Sequence, residues 1–169
     1  MLPEAFRRTM GAFATGVSVV AWRRPDGTPA GLTVNALTSV SLEPTMILVC
    51  IDHRAESHKE IAATSSLGVS VLAAHQEALS RRFADKRLDP AARFIGVAWD
   101  PGPLGAPWLR GALAHLEGPV VRRLDAGDHT LFLIEVQHGR VVDGRPLVFF
   151  RGAYGQWTTA ETACSVSGS

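Results

Sequence analysis

Short neutral polar side chains recur in the segment GLTVNALTSVSLEP, residues 31–44. An extended strand points alternate side chains to opposite faces. One face of this segment would therefore be mostly apolar, and the other would carry Thr33, Asn35, Leu37, Ser39 and Ser41. Small hydroxyl and amide groups, with the backbone N–H groups of an extended chain, suit a planar polar heterocycle that carries a phosphate. A Thr- and Ser-rich edge strand without a ligand would have the same composition, so both interpretations stay open here.

A second candidate is the Arg-Phe pair in SRRFAD, residues 80–85. The guanidinium of Arg82 could hold a phosphate while Phe83 packs against a ring. Alternatively, the arginines lie on a solvated helix face and Phe83 belongs to the core. The local sequence does not separate the two.

A third candidate is the turn in GDHTLFLIEV, residues 127–136. Asp128 and His129 stand where a hairpin turn becomes a strand, which is a frequent position for functional groups. We expect His129 to project from the sheet toward a ligand, at the start of a strand whose buried residues would be Leu131, Leu133 and Val136. A turn of this kind also occurs without any functional role.

Several common catalytic patterns are missing. The G-x-S-x-G elbow, the G-x-G-x-x-G loop and the G-x-x-x-x-G-K-[ST] loop do not occur, and no paired carboxylates stand out. The other histidines have no metal-site spacing, and two cysteines are too few for a zinc site or a disulfide framework. We therefore predict no metal, and an enzyme built this way would rely on a bound cofactor.

Strands must position these residues. Strand patterns fall at GVSVVAW, in residues 31–44, at MILVCI and LGVSVLA, and in the hairpins from residue 112 onward. We expect MILVCI to be buried on both faces. Short helices are predicted near Phe6, from His58 after the capping-box pattern SHKE, and over residues 75–85. Because strands do not alternate with long helices, we predict a mainly β fold, an antiparallel barrel with a few short peripheral helices.

Composition limits the function classes. The chain has 169 residues, a net charge of +1 and 46% hydrophobic residues, which suit one globular domain without a basic surface for nucleic acid. The longest apolar run is too short to cross a membrane, and no secretory signal is evident, so we expect a cytoplasmic protein. We predict one domain over residues 1–158 and a disordered tail over residues 159–169.

In order and spacing, these segments resemble the small flavin reductases that serve two-component flavin monooxygenases. The resemblance runs from about Phe6 to Trp157. It is carried by FATGVSVV, GLTVNALTSVSLEP, ILVCID, LSRRFAD, RFIGV, GDHTLFLIEV and PLVFFRGAYG. It implies a split antiparallel β-barrel of the Greek-key, FMN-binding type, a homodimer, and reduction of FMN or FAD by NADH or NADPH for a partner monooxygenase.

The resemblance also implies the site. The residues expected to contact the flavin ring and phosphate, or to border them, are Thr33, Asn35, Ala36, Ser39, Val40, Ser41, Asp52, Arg54, Ser57, Arg82 and Phe83. Those expected near the nicotinamide are Gly127, Asp128, His129 and Tyr154, with His129 as the catalytic candidate. Relatives commonly have serine or another small residue at Ala36 and Ala55. Neutral donors suit a flavin that must bind both oxidised and reduced, because a fixed charge would favour one state.

Two other functions remain open at this point. The same barrel could bind flavin as an oxidase or sensor that does not use NAD(P)H. It could also be a non-catalytic flavin or haem binder. Bleaching of flavin absorbance by NADH would distinguish a reductase from both.

Overall fold

The computed structural model describes residues 1–158, and the expected tail over residues 159–169 lies outside the described residues. Antiparallel strands dominate, as the sequence predicted. The strands are β1 (Thr15–Gly16), β2 (Ser18–Arg23), β3 (Pro29–Val34), β4 (Leu37–Leu42), β5 (Thr45–Asp52), β6 (Ser66–Val71), β7 (Trp99–Pro101), β8 (Pro107–Leu109), β9 (Ala114–Ala126), β10 (His129–Glu135), β11 (His138–Val141), β12 (Leu147–Phe150) and β13 (Ala153–Gln156). The α-helices are α1 (Pro3–Met10), α2 (His58–Ala63) and α3 (Glu77–Phe83).

The main sheet follows the order β3-β2-β6-β9-β10-β5-β4, and β11 pairs with β9 beside this path. Its two end strands, β3 and β4, form no ladder with each other within residues 1–158. They are nevertheless consecutive in the chain, separated only by Asn35 and Ala36. A link of two residues spans only about 7–10 Å, so the sheet must curve until its two ends approach each other.

This link changes the interpretation of residues 31–44. The alternation expected over the whole segment is interrupted at Asn35 and Ala36, where the chain passes from one end of the sheet to the other. On β4, Val40 is 50% exposed and Leu42 is 90% exposed, so the expected apolar face of the segment is not buried there. The register of β4 against β5 also shifts between Ser39 and Ser41.

Two hydrophobic clusters lie on opposite faces of β2. Val20 and Trp22 belong to the larger one, together with residues of β5, β6 and β10. Val19 and Ala21 belong to the smaller one, in which Phe83 of α3 packs edge-to-face on Phe94 with ring centroids 4.8 Å apart. This second cluster holds α3 against the sheet and places the end of α3 next to β3.

The expected burial of MILVCI on both faces is wrong. In β5, Ile47, Val49 and Ile51 are buried, whereas Met46, Leu48 and Cys50 on the opposite face are only partly covered. One face of β5 packs in the larger cluster and the other is partly open, so β5 has the alternation of a half-buried strand.

The buried face of β10 is also the opposite of the expected one. Thr130, Phe132 and Ile134 are buried, while Leu131 and Leu133 are partly exposed. Since side chains alternate, His129 shares the less covered face with the two leucines.

The capping box expected at SHKE does not form. Helix α2 begins at His58 as predicted, but Ser57 makes no side-chain capping hydrogen bond. Glu60 instead accepts hydrogen bonds from Arg24 (2.7 and 2.9 Å) and from the Trp22 indole (3.2 Å). No helix in residues 1–158 combines the length and the apolarity that crossing a membrane requires.

Candidate active site

A cleft of about 440 Å³ lies at the link between β3 and β4. The end of β3, the end of β5, the loop before α2, the end of α3 and the start of β10 form its walls. The predicted site residues that line it are Thr33, Asn35, Ala36, Asp52, Arg54, Ser57, Phe83 and His129. The fold thus brings together side chains from four separate segments of the sequence.

The other predicted residues do not line the cleft. Ser39, Val40 and Ser41 lie further along β4, at the free edge of the sheet. Gly127 and Asp128 form the turn before His129, and Gly127 has a φ of 64°, which glycine adopts without strain. Their roles toward a ligand stay predictions.

The Arg82 side chain is occupied by hydrogen bonds to the backbone. Its guanidinium donates to the carbonyls of Arg93 (2.7 Å), Ala92 (3.3 Å) and Ile95 (2.7 Å). These bonds hold the turn at residues 92–95 and direct the Arg82 side chain away from the cleft. The neighbouring Phe83 is fully buried and borders the cleft.

Tyr154 lies outside the cleft lining but is connected to it. A hydrogen bond of 2.8 Å joins its hydroxyl to Ser80 Oγ, and the Arg81 guanidinium stacks on its ring at 4.7 Å. The carbonyl of Ser80 in turn accepts a hydrogen bond of 2.7 Å from Thr33 Oγ1. Strand β13, helix α3 and strand β3 are therefore linked through Ser80.

His129 is held at the mouth of the cleft by Asp128. Its Nδ1 lies 2.7 Å from Asp128 Oδ1, and a carboxylate can only accept, so Nδ1 carries the proton. The Nε2 atom of the neutral ring is then an acceptor. Hydrogen bonding to His129 holds the pKa of Asp128 below its ordinary value. Across the sheet, His129 is directly opposite Asp52.

Asp52 and Arg54 form an ion pair within the cleft wall. Arg54 donates to Asp52 from its backbone N–H (2.8 Å), from Nε (3.1 Å) and from a terminal nitrogen (2.8 Å). These hydrogen bonds, helped by the nearby charges, hold the pKa of Asp52 well below its ordinary value. The Arg54 charge is therefore already matched inside the protein.

A hydrogen-bond network anchors this wall from behind. Thr130 donates from Oγ1 to Asp125 (2.8 Å) and accepts from the Nε2 atoms of His53 (3.0 Å) and His58 (2.9 Å). The two histidines flank the loop of Arg54 to Ser57. Their joint role could not be recognised from sequence, because nothing in the spacing of His53, His58 and Thr130 shows that they meet. No group of His, Cys, Asp or Glu side chains within residues 1–158 is arranged to hold a metal ion.

Among the residues that line the cleft but that sequence reasoning did not assign to it are Cys50, Lys86 and Arg93. Burial raises the pKa of the Cys50 thiol, so this side chain is a neutral apolar wall rather than a nucleophile. Arg93 is only 4% exposed. Its segment, RFIGV, does carry part of the family resemblance, but its position in the chain gives no sign that it reaches the cleft.

A larger open groove of about 920 Å³ lies on the other side of α3 and is lined by four arginines. Their guanidiniums are engaged: Arg81 with Glu77, Arg82 with carbonyls, Arg87 with Asp85, and Arg110 with Asp100. We take the smaller cleft as the candidate site because eight of the predicted site residues line it.

Comparison with known proteins gives the family. The sequence-family model of the flavin reductase like domain matches residues 10–158. An NADH-dependent flavin reductase of Rhodococcus sp is 41% identical over 155 residues, covering 90% of this chain and 85% of the relative. The reductase subunit HsaB of a flavin-dependent monooxygenase of Rhodococcus jostii is 34% identical, covering 90% and 76%.

A solved structure agrees with these relatives. The NADH:FAD oxidoreductase SgcE6 of Streptomyces globisporus, in complex with NAD and FAD fragments, superposes with a TM-score of 0.85 at 38% identity, covering 92% of both chains. The order of the motifs, the antiparallel fold and these matches agree, and the chain belongs to the family of flavin reductase like domains.

Proposed function

We propose that this chain is an NADH-dependent flavin reductase that binds FMN or FAD in the cleft between β3, β5 and α3. The observation that carries the proposal is the convergence of Thr33, Asn35 and His129 on one cleft, although they come from distant parts of the sequence. The names of the relatives support the reaction and the nucleotide.

The cleft residues fit a flavin. Asn35 contributes a side-chain amide, and Ser57 contributes a hydroxyl that makes no capping bond. Cys50 supplies apolar surface for a planar ring. This mixture of mostly apolar walls with a few directed polar groups is typical of a cofactor site.

We propose that His129 positions the nicotinamide. Because Asp128 holds the proton on Nδ1, the free Nε2 can accept a hydrogen bond from the carboxamide N–H of the nucleotide. The turn at Gly127 lets the chain reverse directly before His129 and so sets the ring at the rim of the cleft.

The flavin supplies the hydride acceptor, so the protein needs no nucleophile. The task of the surrounding residues is to hold two rings face to face and to exclude water. The Thr130 network and the Asp52–Arg54 pair stiffen the wall on which this alignment depends. Thr33 fixes β3 to α3 on the opposite side.

We further propose a split β-barrel. Its support is the two-residue link between the end strands β3 and β4, which requires a strongly curved sheet. The domain would comprise residues 1–158, in line with the family match over residues 10–158. A cytoplasmic location, where NADH is available, stays a prediction.

We also propose a homodimer. Val40 on β4 and Val121 and Leu124 on β9 are 42–50% exposed in the β4-β5-β10-β9 part of the sheet, and α1 buries none of its residues. Uncovered apolar surface of this kind is typical of subunit contacts. Light scattering should give twice the 18.1 kDa chain mass. A stable single-chain mass at all concentrations would contradict the dimer.

Reduced flavin would pass to a monooxygenase, as the name of the Rhodococcus jostii relative supports. The direct test of the whole proposal is anaerobic mixing of protein, FMN or FAD, and NADH, followed at the flavin absorbance band. We expect rapid bleaching that requires the protein. Flavin binding without bleaching would instead favour a sensor or a passive flavin binder.

A further inference from the structure

The hydroxyl of Thr130 is a buried group at which several segments of the chain meet. The residue is 4% exposed. Its Oγ1 donates to Asp125 Oδ1 at 2.8 Å and lies 3.0 Å from His53 Nε2 and 2.9 Å from His58 Nε2. The three partners come from β9, from the turn directly after β5 and from the start of α2, whereas Thr130 itself lies on β10. One oxygen atom therefore ties these segments together.

The hydrogen-bonding capacity of this hydroxyl is filled. A hydroxyl has one proton to donate and two lone pairs that accept. Because the Asp125 carboxylate can only accept, the proton of Thr130 is directed to it, and both lone pairs are left for the two histidines. Each imidazole must then carry a proton on Nε2. Loss of the hydroxyl would leave two N–H donors and one carboxylate without the partner that joins them.

The two histidines bracket one wall of the cleft. Residues 54–57, the wall loop, lie between them in the chain and line the cleft. The rings of His53 and His58 meet edge-to-face with centroids 5.0 Å apart, so both ends of the wall loop are held close to one point. The backbone N–H of His53 also donates to the Asp128 carbonyl at 2.9 Å. The position of the wall loop therefore depends on Thr130 as well as on the turns within the loop.

Thr130 is also the chain neighbour of His129 at the rim of the cleft. In the ladders of β10, Thr130 is opposite Ile51 of β5 and Asp125 of β9. Because side chains alternate along a strand, the buried Thr130 and the cleft-lining His129 point to opposite faces. The hydroxyl thus holds the start of β10 from behind while the His129 ring borders the cleft.

We propose that Thr130 is a positioning residue that couples the wall loop to His129 and so sets how the flavin and the nicotinamide face each other. This inference rests on the proposed function. The rate of a reaction between two bound rings depends on their alignment, and a small displacement lowers it even when both ligands still bind. Loss of the hydroxyl should therefore lower kcat while the affinities change little.

The test compares Thr130→Val, which keeps the side-chain shape without the hydroxyl, with Thr130→Ser, which keeps the hydroxyl. Thr64→Val is the matched control, because Thr64 Oγ1 also makes a local hydrogen bond, to the Ser66 carbonyl at 3.3 Å, but lies outside the cleft. Amide hydrogen exchange is measured without ligands, followed by FMN affinity, KM for NADH and kcat. Thermal unfolding confirms that each variant is folded.

Without ligands, Thr130→Val should speed amide exchange roughly tenfold in the wall loop and at His129 together, because both lose the same anchor. It should lower kcat roughly tenfold, while FMN affinity and KM for NADH change less than about threefold. Thr130→Ser and Thr64→Val should each stay within about twofold of wild type in kcat.

Variants of His58 keep the proposal testable if Thr130→Val does not fold. His58→Leu removes one donor to Thr130 and should lower kcat about threefold, whereas His58→Gln, which retains an N–H donor, should recover most of the rate. If Thr130→Val is folded, adding His58→Leu to it should lower kcat no further, because both changes break the same contact.

Two results would overturn the coupling. Faster exchange in the wall loop alone, with His129 unchanged, would show that Thr130 does not link the two. A fall in FMN affinity as large as the fall in kcat would make Thr130 a structural residue only. Wild-type protein that fails to bleach flavin with NADH would instead overturn the proposed function, and the exchange measurement without ligands would still decide whether Thr130 ties the wall loop to His129.

Discussion

The two halves of residues 31–44 have similar compositions but different positions in the fold. Thr33, Asn35 and Ala36 line the cleft at the end of β3. Ser39 and Ser41, of the same small neutral type, lie on β4 at the free edge of the sheet. The difference arises at the two-residue link, which carries the chain from one end of the sheet to the other.

This comparison teaches that polar residue type alone does not define a binding site. A hydroxyl gains a role when walls from other segments enclose it. At Thr33 those walls are α3 and the turn at residues 92–94, whereas Ser39 is exposed. The resemblance that implies flavin contacts for Ser39, Val40 and Ser41 would require the ligand to extend along β4.

The largest expected effect is at the cleft end of β10. His129→Ala should lower kcat/KM for NADH by about ten- to a hundredfold, or roughly 1.4–2.7 kcal/mol, because the nicotinamide loses its acceptor at Nε2. Glu135→Ala, at the other end of the same strand near Met46, should leave kcat/KM within about twofold. Steady-state rates at saturating flavin measure both. A normal rate in His129→Ala would make His129 structural.

The second effect concerns flavin affinity. Asn35→Ala should weaken FMN or FAD binding about tenfold, since a hydrogen bond in the cleft is lost. Ser39→Ala should change it less than about twofold. Isothermal titration calorimetry of both variants shows which half of residues 31–44 contacts the flavin. Equal losses would show that the flavin runs along β4, as the resemblance implies.

A smaller effect is expected on stability. Thr33→Val removes the 2.7 Å bond to the Ser80 carbonyl and should lower the free energy of unfolding by about 1 kcal/mol. Thr38→Val, at an exposed site on β4, should change it by only a few tenths of that. Urea unfolding of the two variants provides the comparison. A larger loss at Thr38 would show that β4 is covered in solution, for example in a dimer.

The smallest effect is the response to mild acid. The folded pKa of Asp52 is lowered, so its pair with Arg54 contributes fully above the ordinary carboxyl value of 3.8 and is lost as the pH falls through the lower folded value. Protonation of Asp52 should therefore cause no change in flavin affinity between pH 7 and 5. Asp85 is paired with Arg87 outside the cleft, and its pKa is lowered to about 2. Protonation of Asp85 should likewise lower the stability of the fold only as the pH falls toward that value, without affecting flavin binding. Loss of flavin between pH 6 and 5 in wild type, absent in Asp52→Asn, would contradict this assignment.

Much of the architecture was predictable from local sequence. Apolar alternation and apolar runs located β2, β5, β6 and β10, the Asp-Gly pair located the turn at Gly27, and the order of the motifs identified the family. The start of α2 was also correct, although its capping box was not. These features depend on neighbours a few residues apart, which a single sequence displays directly.

Which residues form the site could be determined only from the tertiary structure. Alternation shows that β10 has two unlike faces but not which one the core covers, so Leu131 and Leu133 were expected inside, where Phe132 and Ile134 lie. Arg82 and Arg93 both donate to backbone carbonyls, yet Arg82 lines the groove on the outer side of α3 and Arg93 lines the cleft. The sequence by itself determined the strands, because they depend on local pattern, and the family, because it depends on the order and spacing of short motifs along the chain. Only the folded sheet decided which polar and charged groups share a cleft, because that depends on contacts between segments far apart in the chain.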